Sequence, residues 1–145
     1  MIYILLGVIG VIISMVVGML WYSLKTPMGK VQMEATNPNV SVEEHLKQME
    51  ATPGMWKYFL GQAFLALLTS LFIAFIMIEQ KGLGTTVIFG EVSAAWLCFT
   101  VPIVGQSLLW GNTDKKLRWK KFFSDILSNL LTYLLIVSAF SFIVH

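Results

Sequence analysis

The chain has 145 residues, enough for one domain. Hydrophobic residues make up 57% of it and charged residues 12%, where a soluble domain carries about 25% charge; with a mean hydropathy of +0.75, lipid rather than water is the expected solvent. The formal charge of +2 is too small to suggest nucleic-acid binding, and the single cysteine, Cys98, rules out an internal disulfide or a CxxC redox pair.

A membrane-crossing helix needs about 20 mostly apolar residues. The first such stretch covers about residues 2–23. It has no Lys or Arg before Lys25, outruns a signal-peptide core and ends in bulky Leu20, Trp21 and Tyr22, so it is expected to be a retained helix. Gly10, Ser14 and Gly18 form a small-xxx-small seam along it, which lets helices approach closely within a bundle or between protomers.

The segment 24–57 is the longest connection. Ser41 and Glu44 have capping-box spacing, and Val42, Leu46 and Met49 recur at helical spacing beside Glu43, Glu44, Lys47 and Glu50. The pattern predicts a short amphipathic helix over about 42–51, stopped by Pro53-Gly54. Such a helix either lies on the membrane surface or docks a partner.

The second span covers about 58–78, and a polar turn over 79–84 leads to the third, about 85–110. Pro102 predicts a kink there, because it removes a backbone donor and frees the carbonyl of Cys98. A basic connection, 111–121, precedes the fourth span at about 122–144. The expected fold is therefore all-α, a polytopic membrane protein of one transmembrane domain over 1–145. Four transmembrane helices are expected, with a short amphipathic cytoplasmic helix between the first and second.

Lys and Arg set the orientation. The connections 24–57 and 111–121 hold Lys25, Lys30, Lys47, Lys57, Lys115, Lys116, Arg118, Lys120 and Lys121, and the 79–84 turn holds Lys81 alone. Both long connections are thus expected in the cytoplasm and both termini outside, in a bacterial inner membrane. Trp21, Tyr22, Trp56, Tyr58, Trp110 and Trp119 all fall at the predicted cytoplasmic ends, where interfacial aromatics belong. Trp96 and Tyr133 lie deeper, and packing between helices is expected of them.

Polar side chains inside a span are functional candidates by default. Gln62, Gln106, Asp125 and Asn129 all sit toward the basic end and would form a polar intramembrane cluster with Trp21 and Tyr22 if the helices bundle. The alternative is interhelical bonding by the glutamines, with Asp125 paired to Lys121 or Arg118. Glu91 lies six residues beyond Thr85, roughly 9 Å along a helix. It is either a proton or ion site or a carboxylate reaching outer water or Lys81. His45 and His145 have no nucleophile at fixed spacing, and no metal cluster, phosphate loop or dinucleotide fingerprint occurs, so no cofactor is expected.

Gly18-Met19-Leu20-Trp21-Tyr22-Ser23 closes the first span, Ala95-Trp96-Leu97-Cys98-Phe99 sits in the third, and Leu109-Trp110-Gly111 leads to Trp119-Lys120-Lys121-Phe122-Phe123. In these motifs the chain resembles an uncharacterised bacterial four-helix membrane family, the domain of unknown function 1761. That family has a Trp-Tyr-Ser-Pro element followed by Phe-Gly-Lys. Trp21, Tyr22 and Ser23 match it. Leu24 stands where proline is usual, and Thr26-Pro27-Met28-Gly29-Lys30 replaces Phe-Gly-Lys only loosely. The resemblance implies an architecture and carries no catalytic residues.

Two functional expectations follow. One is a structural or accessory membrane component, contacting lipids and acting through helix contacts with itself or a larger complex. The other is a small-solute or ion transporter or channel working as an oligomer, with Glu91 and the Gln62/Gln106/Asp125/Asn129 group lining its path. A membrane enzyme would need an acid–base or nucleophilic pair, and the sequence offers none; no nucleic-acid partner is expected.

Overall fold

A computed structural model describes residues 1–36, 39–51, 55–80, 82, 84–110 and 115–144. The expectations placed on Lys81, His145, the Pro53-Gly54 stop and the side chains of Tyr58 and Trp110 fall outside the described residues. The described residues contain helices and no strand.

Helix α1 spans Ile2–Trp21, 20 residues, about 30 Å at 1.5 Å per residue and so the thickness of a bilayer core. It is followed by α2 (Pro27–Thr36), α3 (Val42–Ala51) and α4 (Met55–Glu79). The third span is α5 (Thr85–Ala95), a π-helical turn (Trp96–Thr100) and α6 (Val101–Trp110), and the chain returns through α7 (Lys115–Val144). Four helical stretches are long and apolar enough to cross a membrane, and no more than 28% of any of them is buried inside the chain. Their outward faces carry Ile12, Leu20, Phe64, Phe72, Ile103 and Phe142, each more than half exposed. A contiguous apolar coat of that size has lipid as its natural solvent.

Three boundaries differ from the sequence expectation. Segment 24–57 holds two helices instead of one. The extra helix, α2, starts at a Thr-Pro step: the Thr26 hydroxyl accepts the Gly29 N–H at 3.0 Å, and Pro27 occupies the first helical position, where its missing N–H costs nothing. The basic connection is also mostly helix, since α7 begins at Lys115 and its first turns carry Lys115 to Lys121. Finally, the third span is broken by a widened turn. The Val101 N–H reaches back five residues to the Trp96 carbonyl, just where Pro102 cannot supply the next donor to Cys98.

Helix α3 opens with the reciprocal pair expected of its capping box: the Glu44 N–H donates to the Ser41 hydroxyl and the Ser41 N–H to the Glu44 carboxylate, both at 3.2 Å. Its apolar Val42 and Leu46 are exposed.

Helix α7 is the hub, packing against α1, α2, α4, α5 and α6. The apolar core lies at the end of the bundle that holds the start of α1 and the end of α7. Leu6, Ala74, Met77, Ile88, Ile136, Val137 and Phe140 are fully buried there. Burying apolar surface does not drive helices together in lipid, so close packing must do so. Helix α1 achieves it against α4 through Gly7 and Gly10: a methyl group on Gly10 would sit 2.1 Å from Ser70 Oγ and 2.4 Å from its Cβ. Gly18, also in the expected seam, meets nothing within 4 Å. The internal contact therefore runs through the first half of α1.

Replacing Gly10 by alanine should destabilise the protein by about 1–3 kcal/mol through overpacking, whereas Gly18→Ala, which meets nothing, should leave stability unchanged or raise it by up to about 1 kcal/mol. Thermal unfolding in one detergent compares them; equal effects would contradict this packing.

Candidate functional site

The end of α1, the start of α2 and the first half of α7 meet at the basic end of the bundle. Helix α1 stops at Trp21, and the chain turns so that two consecutive aromatic side chains reach α7. The Trp21 indole N–H donates to the buried Ser124 hydroxyl at 3.0 Å. The Tyr22 hydroxyl donates to Asp125 Oδ1 at 2.7 Å. The other carboxylate oxygen, Oδ2, pairs with Lys121 one turn earlier on α7. One turn further along, Asn129 caps the arrangement by donating to the Asp125 backbone carbonyl at 2.8 Å.

The turn itself is fixed by Thr26 and Gly29. The Thr26 hydroxyl lies 2.7 Å from the Trp21 carbonyl and 2.8 Å from that of Ser23, and donates to this pair. Gly29 packs directly on the turn: an added Cβ would lie 2.1 Å from the Ser23 carbonyl oxygen. Backbone cannot yield as a side chain can, so only glycine fits. Ser23 accepts the Lys25 N–H at 3.4 Å, a long bond.

A second set of ties joins the third span to α7. The Trp96 indole donates to the Ile126 carbonyl at 3.1 Å, and Thr100 Oγ1 lies 3.3 Å from the Tyr133 hydroxyl. Both Trp96 and Thr100 belong to the π-helical turn. Beside it a half-open groove of about 360 Å³ lies between α4, α5 and α7, lined by Thr69, Phe72, Val92, Thr100 and Tyr133 among others.

The polar candidates thus separate. Trp21, Tyr22, Asp125 and Asn129 come together; Gln62 and Gln106 are exposed on the outer surface, with no hydrogen bond to a described residue. Arg118 donates to the Leu108 carbonyl instead of joining Asp125. Glu91 is half-buried and makes no hydrogen bond or ion pair with a described residue. Among the described residues no three His, Cys, Asp or Glu side chains gather as a metal site would need. The sequence reading missed Ser124, Thr26, Gly29 and Thr100. The Thr-Pro step was a usable signal for α2, and Ser124 adjoins Asp125 on the face that receives α1.

Chemically, the Asp125 group is a clamp. One carboxylate oxygen is used by a cation and the other by a neutral hydroxyl, so the carboxylate joins two segments far apart in sequence. A hydrogen bond to a charged group contributes about 1.5–3 kcal/mol. Tyr22→Phe should therefore destabilise the protein by about that amount, and most of the loss should vanish in an Asp125→Ala background. A double-mutant cycle on unfolding in detergent measures the coupling, and strict additivity would show that the bond contributes nothing.

Among curated proteins and solved structures, none matches the chain. A family model described as "Protein of unknown function (DUF1761)" matches residues 6–142, from the packed half of α1 through almost all of α7. The chain belongs to the DUF1761 family, and the aromatic motif that marks the resemblance, Trp21-Tyr22-Ser23, is the segment that fastens α1 to α7.

Proposed function

We propose that the protein is an accessory component of a membrane, working through helix contacts with a second copy of itself. The observation that carries this reading is a run of exposed small residues on α5 and into the π-helical turn that follows it. Thr86, Gly90, Ala94 and Cys98 follow one another at four-residue spacing and are all exposed. Gly90 has nothing within 4 Å of where a side chain would begin. Small residues at this spacing let two membrane helices approach backbone to backbone. Glu91 flanks the stripe without a partner among the described residues. A carboxyl group in lipid gains by hydrogen bonding across such a contact, because its alternative is hydrocarbon. The Asp125 group, by contrast, is consumed in holding the protomer together.

Cys98 makes the reading directly testable, being the only cysteine and lying exposed on the stripe. In membranes, a mild thiol oxidant such as copper–phenanthroline should join two copies through a Cys98–Cys98 disulfide. Gly90→Leu should abolish the cross-link and reduce the mass of the detergent-extracted protein to that of a monomer. A wild-type protein that is monomeric at every concentration and does not cross-link would overturn the proposal. Solute flux in vesicles that disappears with Glu91→Ala, in a protein that does not self-associate, would support the transport reading in its place.

The reading also places the basic, aromatic-rich end in the cytoplasm, by the excess of Lys and Arg there. A reporter fused after His145 should be active only outside the cytoplasm; activity inside would invert the topology.

A further inference from the structure

A second cavity, about 330 Å³ and half open, lies between the end of α6 and the start of α7. Its lining is divided. Gly105 and Leu108 line it from α6, and Lys115, Arg118 and Trp119 line it from α7. We propose that this groove binds the headgroup of an anionic phospholipid, with its phosphate at Arg118 and Lys115 and an acyl chain along Leu108 and Gly105.

Three observations converge on it. First, Arg118 is a half-buried cation with no carboxylate partner among the described residues. One N–H is engaged by the Leu108 carbonyl, and its Nε is buried with no hydrogen-bond partner among the described residues. A half-buried guanidinium with no carboxylate against it among the described residues can take an anion in the groove through a charge-assisted hydrogen bond. Second, the surrounding field is positive: segment 114–121 holds five Lys and Arg residues against the single carboxylate of Asp114. The groove also lies at the first turn of α7, where the helix dipole adds partial positive charge. Third, Trp119 lines the groove from a cluster of aromatic rings. Its ring stacks on Phe123 and meets Phe122 edge-on, both at 5.8 Å between centroids. Trp at this level favours the headgroup layer, and basic pockets between membrane helices are suited to phosphate-bearing lipid heads. A free anion would use the cations alone. The apolar Leu108 lining the same groove favours an amphiphile.

The experiment is lipid retention by native mass spectrometry of the full chain in mild detergent, with phosphatidylglycerol and phosphatidylcholine of identical acyl chains. Phosphatidylglycerol should be retained preferentially. Arg118→Gln and Lys115→Gln should each weaken its retention about fivefold, while Lys47→Gln on α3 should change nothing. Lys115 is exposed and unpacked, so its variant remains informative even if Arg118→Gln misfolds. Equal retention of the two lipids, or retention unaffected by Lys115→Gln, would overturn the proposal. Displacement of the lipid by millimolar inorganic phosphate would overturn it too, by assigning the site to a free anion.

Discussion

The Asp125 carboxylate is the group on which the basic half of the molecule depends. In water, helices assemble because burying apolar surface is favourable; in lipid that term is absent between helix and solvent, and what remains is close packing and hydrogen bonding. The chain divides these two means along the bundle axis. At one end, the apolar side chains of Leu6, Met77, Ile136 and Phe140 are fully buried together. At the other, Trp21, Tyr22, Lys121 and Asp125 are joined by directed bonds. A carboxylate in that region would be costly alone. With a cation on one oxygen and a hydroxyl on the other, it becomes a tie between chain segments about 100 residues apart. The same tie fixes where α1 ends, hence where α2 begins and packs on α7.

Much of this architecture was legible in the sequence because lipid imposes a simple rule: backbone polar groups must be satisfied within each crossing segment. Four long apolar runs therefore had to be helices. The capping box at Ser41 and the proline at 102 were equally readable, since each acts locally. The polar side chains were harder. Gln62 and Gln106 sit at the same depth as Asp125 in the sequence reading, yet the structure turns them outward. Depth is set by position along a helix, but convergence depends on rotation about it, and four helices that are apolar nearly all round give the sequence little record of rotation. Likewise the widened turn at Trp96–Thr100 shifts the face presented by every residue beyond it, so a register counted from Thr85 no longer places Gln106. Helix α2 is a different case. Its Thr-Pro start was visible, but its ten residues carry too few apolar positions to be seen without α7 beside them.

The small residues follow the same logic. Small-xxx-small spacing states only that something can come close, not what does. Gly10 is filled from within, by Ser70 of the same chain. Gly90 and Ala94 carry the same pattern on α5, and no described residue covers them. A glycine facing lipid gives up side-chain contacts that leucine would make, and it weakens the helix relative to alanine. An outward Gly90 beside a Glu91 with no partner among the described residues is therefore unfavourable on two counts, and the proposed contact with a second copy would relieve both. The clamp at Asp125 needs no such partner. The protomer is thus closed on the face where α1, α2 and α7 meet and open along α5, and the face left open is the one on which contact with another copy would act.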